Sequence, residues 1–122
     1  MLVLSFFLSN WGLDMKESMF QGKLIKEIKR KYPGAIVLKN DANYIQGIPD
    51  LLVLYGDKWA ALEVKKSDTA SHRPNQDYYV RKMNEMSFAR FIYPENKKEV
   101  MNDLARSFGK GARRSTRGLV RK

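Results

Sequence analysis

Cysteine is absent from the 122-residue chain, and histidine occurs once, at His72. The first absence excludes a disulfide framework, a thiolate zinc site and a cysteine nucleophile, and it fits a reducing, cytoplasmic compartment. The second leaves a multi-histidine metal centre or a Ser-His-Asp arrangement with little to draw on. No stretch approaches the roughly 18 consecutive apolar residues that span a bilayer. The segment MLVLSFFL at the start is apolar. It has no basic region and no small-residue cleavage site, so a secretory signal is not expected. Acidic residues are missing altogether from 109–122, which carries Lys110, Arg113, Arg114, Arg117, Arg121 and Lys122.

Against these absences stand 43% hydrophobic and 11% aromatic residues, enough to bury the core of one domain. The formal net charge is +10, and six of those charges sit in 109–122. Such a balance calls for a polyanionic partner, nucleic acid or an anionic membrane. No lipidation motif or amphipathic partner helix accompanies the tail, so nucleic acid is the better expectation and a membrane the poorer one. The expected organisation is an apolar extension at 1–14, one domain at 15–108 and a mobile basic tail at 109–122. The first segment is either a true extension or the product of a start codon set too far upstream.

Periodicity predicts the order α-β-β-β-α-β-α. Residues 16–31 read as a helix with Phe20, Leu24, Ile25 and Ile28 on one face. Asp14 is its expected N-cap, Glu17 lies at the capping-box offset, and Pro33-Gly34 ends it. Strands are expected at 35–39, 51–55, 59–65 and 89–93, and further helices at 76–86 and 95–108. The short Tyr55-Gly56-Asp57-Lys58 connection makes 51–55 and 59–65 an antiparallel hairpin. Helices on both sides of a mixed four-stranded sheet, an α/β fold, follow from that order.

The hairpin holds three charges among apolar neighbours. Side chains alternate along a strand, so Glu63 and Lys65 share one face of 59–65 while Ala60, Leu62 and Val64 share the other. Pairing through the turn brings Asp50 level with the 63–65 end. A surface cross-strand salt bridge is one reading, worth about 0.5 kcal/mol. A compact oxygen-rich site is the other. Pro49 restricts itself and Ile48, which delivers Asp50 in a defined pose. Glu17 falls on the apolar stripe of the first helix, and Glu27, roughly 80° to one side at about 100° per residue, is expected in solvent. Glu17 is therefore either a capping carboxylate or a third inward acid. Asp50, Glu63 and Glu17 would suit a hard divalent cation such as Mg2+. Lys65 would offset developing charge or help deprotonate a water. With a basic surface for a polyphosphate, this chemistry points to phosphodiester hydrolysis.

Pro49-Asp50, then twelve residues, then Glu63-Val64-Lys65 resembles the motif of the PD-(D/E)XK nuclease superfamily. The GIPDLLVL lead and Asn75-Gln76 at the next helix are most similar to its VRR-NUC group. The resemblance spans roughly 16–93, about two thirds of the chain. It implies a restriction-endonuclease-like core within 15–108 and cleavage of DNA with Mg2+, or Mn2+ in its place. Asp50, Glu63, Lys65, Gln76 and Glu17 are the implied catalytic residues, and the Val64 carbonyl is an implied metal ligand beside Asp50, Glu63 and Glu17. Minimal members, often phage-encoded, are similar to Holliday-junction resolvases and act as homodimers, which would place this chain in a host cytoplasm.

Lys66, Arg73, Arg81 and Lys82 are near the site in sequence, as DNA-backbone contacts or as solvated charges. Arg113, Arg114 and Arg117 are the expected tail contacts. Tyr78 and Tyr79 could stack on bases, one of them belonging to the core. His72 is expected to be solvated or to touch a phosphate. The contrasting expectation is a catalytically inactive nuclease-fold module that only binds DNA.

Overall fold

The computed structural model describes residues 2–109. Helix α1 runs Leu2–Lys31 and presses Leu24, Ile28 and Tyr32, spaced one turn apart, fully into the core, with Phe20 and Ile25 beside them. Its start differs from the expectation at Lys16. Asp14 falls inside the helix instead of capping it, which puts Glu17 in the helix interior and not at a capping-box position. The segment before Asp14 contains four leucines, which can carry a helix onward, so a capping signal downstream of it starts nothing. The other end is as expected. The chain turns at Pro33-Gly34, with Gly34 at φ 90° and the Ala35 amide donating to the Tyr32 carbonyl at 2.9 Å.

Strands β1 (Ile36–Lys39), β2 (Leu51–Tyr55), β3 (Lys58–Val64) and β4 (Ala89–Ile92) form one sheet in that order. β1–β2 and β2–β3 are antiparallel and β3–β4 is parallel. A parallel neighbour requires a crossover, and helix α2 (Gln76–Met86) supplies it. Helix α3 (Lys97–Phe108) closes the domain and ends on Gly109 in the left-handed region. The mixed sheet and the element order match the expectation, and element limits differ by at most two residues outside α1.

The alternation along β3 decides which helix covers which face. Ala60, Leu62 and Val64 join Leu51, Val53, α1 and α3 in the larger core. Ala61 meets Val80 and Ala89 on the other face, with Leu52, Trp59, Met83 and Phe91 packed around them. Val100, Met101, Leu104 and Phe108 of α3 are all buried, so that stripe serves the core and is no free surface. Glu27, expected in solvent, instead meets Lys97 of α3 at 2.7 Å and Lys31 at 3.1 Å. Being to one side of the stripe places it where α3 lies against α1. At the turn end of the hairpin, Tyr32, Tyr55 and Phe108 form a ring cluster with centroids 5.1 to 5.4 Å apart. The opposite end holds the charges.

Candidate active site

The hairpin register sets the site. Leu51 pairs with Leu62, so one residue further along Asp50 comes level with Glu63, and Pro49 comes opposite Val64. Proline has no N–H, so position 49 has no main-chain donor to offer the Val64 carbonyl. The Val64 amide turns to the Asp50 side chain instead, donating to Oδ2 at 2.9 Å. The loop before Asp50 is tied down by Asn40, whose Nδ2 donates to the Pro49 carbonyl and whose amide donates to the Asp50 carbonyl, both at 2.8 Å.

Glu63 is 2% exposed, Lys65 7% and Gln76 7%. A surface salt bridge is therefore the wrong description of these charges. Gln76 opens α2 and bridges the other two. Its Nε2 donates to Glu63 Oε2 at 2.9 Å, and its Oε1 accepts from Lys65 Nζ at 2.7 Å and from the Arg73 amide at 2.8 Å. Lys65 Nζ also donates to the Ser71 carbonyl at 3.0 Å and lies 3.7 Å from Glu63 Oε2. The ammonium is thus held by neutral oxygens as well as by its partner charge.

Burial raises the Asp50 carboxyl above its ordinary range, against the pull of the Val64 N–H bond. Burial first, and then the Asp50 charge, push Glu63 up to about 8, with Lys65 opposing and Glu17 adding to the rise. Both shifts run upward, so the pair as a whole favours retaining a proton. Glu63 Oε1 is buried and has no hydrogen-bond partner among the described residues. Two carboxylates turned on one another can be satisfied by a shared proton or by a cation. The apolar side of the same hairpin makes this tolerable. Leu51, Val53, Leu62 and Val64 are fully buried and contribute about 1.5–3 kcal/mol each, which opposes the cost of burying the charges.

A cleft of about 560 Å3 opens beside Lys65, lined with it by Glu17, Lys66, Ser67, Thr69, Ala70, Ser71 and Arg73. Of the residues singled out from the sequence, Asp50, Glu63, Lys65 and Gln76 come together. Glu17 reaches the same cleft and its charge acts on Glu63. It does not complete a ligand cluster: among the described residues, no three Asp, Glu, His or Cys side chains are grouped closely enough to hold a metal ion. Lys66 and Arg73 line the cleft, and the Arg73 charge is felt by Asp50. Arg113, Arg114 and Arg117 lie outside the described residues.

His72 is engaged elsewhere, with Nδ1 2.7 Å from Asp77 Oδ1 and its ring stacked on Phe91 at 4.1 Å. Arg81 sits over the exposed Tyr78 ring at 5.7 Å, Tyr79 is half-buried, and neither Arg81 nor Lys82 lines the cleft. Sequence reasoning missed Asn40, the Ser71 carbonyl and the tight seat of Gly47. Main-chain acceptors and close approaches leave no residue-type signature. No helix among the described residues is long and apolar enough to cross a membrane. No family model, curated protein or solved structure matches this chain, so its site is read from its own geometry.

Proposed function

We propose that the chain is a divalent-metal-dependent endonuclease that hydrolyses phosphodiester bonds in DNA, built on a PD-(D/E)XK, restriction-endonuclease-like core. One observation carries the reading: the buried Asp50–Glu63 pair, whose Glu63 Oε1 has no hydrogen-bond partner among the described residues, adjoins Lys65, and Lys65 lines a cleft whose rim includes Lys66 and Arg73. The donor set fits a hard cation. Asp50, Glu63 and the Val64 carbonyl would hold Mg2+, or Mn2+ in its place, with water filling the remaining positions. When bound, the ion supplies polarisation of a phosphoryl oxygen and a lower pKa for a water.

The chain's own residues do the rest. Lys65, held by Ser71 and Gln76, is a fixed positive charge beside the acids, suited to offset charge building on the phosphate. Gln76 keeps that ammonium and Glu63 in one arrangement. Lys66 and Arg73 attract and orient the flanking backbone. Selectivity for branched DNA such as a four-way junction, and action as a homodimer, are parts of the same proposal.

The test is cleavage of supercoiled plasmid and of a four-way junction beside a matched linear duplex, with Mg2+, alongside mass measurement in solution. Asp50→Asn and Glu63→Ala should each abolish cutting while leaving DNA binding. A wild-type chain that binds but cuts nothing would place it with inactive binding modules.

A further inference from the structure

We infer that Gly47 is a positioning residue: its missing side chain seats the Gly47–Asp50 segment on the Pro74–Asn75 turn and thereby fixes Asp50 relative to Gln76. Gly47 is buried at φ 91°. A Cβ built on it would lie 2.7 Å from the Asn75 carbonyl carbon, 2.7 Å from Asn75 Cβ and 2.8 Å from the Pro74 oxygen. All three are backbone or first side-chain atoms, so no rotamer change relieves the clash. Ordinary carbon contact is about 3.5–4.0 Å, so the two segments would have to part.

What stands on either side of that contact gives it meaning. One side leads through Ile48 and Pro49 to Asp50, whose Oδ2 accepts from Val64 and whose loop is tied by Asn40. The other is Asn75, itself at φ 71°, followed directly by Gln76, which bonds Glu63 and Lys65. Asp50, β3, Glu63, Gln76, Asn75 and Gly47 thus form a closed ring of contacts. The Gly47–Asn75 approach is the one link in it made without a hydrogen bond or a covalent connection. Opening it displaces the start of α2 from the acids while the sheet itself stays intact.

The structure offers a matched control. Gly34 has φ 90°, and a Cβ there meets nothing within 4 Å. Gly34→Ala therefore imposes the same backbone strain as Gly47→Ala without the steric contact. The primary readout is the Gln76 side-chain amide in 15N-edited NMR spectra, where its bond to Glu63 gives a shifted, slowly exchanging pair. Gly47→Ala should lose that signature and Gly34→Ala should keep it.

Asn75→Gly removes one of the three clashing atoms, so Gly47→Ala/Asn75→Gly should regain part of the signature. If Gly47→Ala alone does not fold, this double variant answers the question. A recovered fold with the Gln76 amide only part-way back to its wild-type position supports the inference, because two of the clashing atoms remain, and one with a fully wild-type amide overturns it. Loss of the signature in Gly34→Ala to the same degree also overturns it.

The catalytic consequence rests on the endonuclease reading. Gly47→Ala should lower kcat about a hundredfold with a smaller change in KM. Should no variant and no wild type cut DNA, while the amide is lost only in Gly47→Ala, the positioning role stands and the endonuclease reading falls.

Discussion

Replacing Glu63 with glutamine removes a titrating group while keeping its size and an oxygen for the Gln76 amide. In the unsubstituted chain, burial and the Asp50 charge raise this carboxyl from an ordinary 4.5 to about 8. At about 1.36 kcal/mol per pH unit, that rise is on the order of 5 kcal/mol. Between those two pH values the folded chain keeps a proton that the unfolded chain has released. Stability therefore falls as pH climbs from about 4.5 toward about 8, and it levels off above that. Asp50, also raised, acts in the same direction. Glu27 and Asp103 are lowered by Lys97 and Arg90 respectively. Their contribution is present above the ordinary carboxylate range and lost as pH falls through their folded values, so it belongs to a lower window.

The assay is urea unfolding at about pH 5, 6.5 and 8 with a chelator present. The wild type should lose about 2–4 kcal/mol across that range, and Glu63→Gln should stay nearly level and be the more stable chain at the alkaline end. Mg2+ added at that end should restore stability to the wild type and not to the variant, because a ligand that binds only the folded state stabilises it. Parallel pH curves for the two chains would refute the argument that Glu63 belongs to the buried pair that retains a proton.

Gln76→Leu should cost about 2 kcal/mol, since it strips an acceptor from the buried Lys65 ammonium and a donor from Glu63. Cleavage should vanish while DNA affinity holds, and unaltered thermal unfolding together with full cleavage would contradict the bridging role. Removing residues 110–122 takes away six basic side chains. It should weaken DNA binding and reduce the log–log salt slope by up to about 5; an affinity unchanged at low salt would defeat the tail's part in binding.

Much of this arrangement was legible because its causes are local. Gly56-Asp57 between two apolar runs fixes a two-stranded pairing, and a period of two then dictates that Glu63 and Lys65 share a face and that Asp50 comes level with them. The spacing of α2 puts Gln76, Tyr79, Val80 and Met83 on one side; Gln76 and Val80 are buried and Tyr79 and Met83 half-buried. What stayed hidden depends on segments distant in sequence. Lys65 finds a main-chain oxygen at Ser71, inside a loop without periodicity. Gly47 reads as a turn glycine, and only the approach of Pro74 and Asn75 gives it a second role. Glu27 reads as solvent-facing from the helix alone, and only the place of α3 brings Lys97 to it. The start of α1 shows the converse: a good capping residue has no effect where the preceding chain is already helical.

The place of β3 in the sheet has a consequence for local opening. β3 is paired on both sides, and Ala60 through Lys65 are buried without interruption. Main-chain amides in such a strand exchange with solvent only when the whole domain opens, whereas those of an edge strand exchange through small local excursions. β1, with Ile36 56% and Leu38 43% exposed, is such an edge. It can fray while Glu63, Val64 and Lys65 keep their spacing. The spacing of Glu63, Val64 and Lys65 along β3 is then as long-lived as the folded state itself.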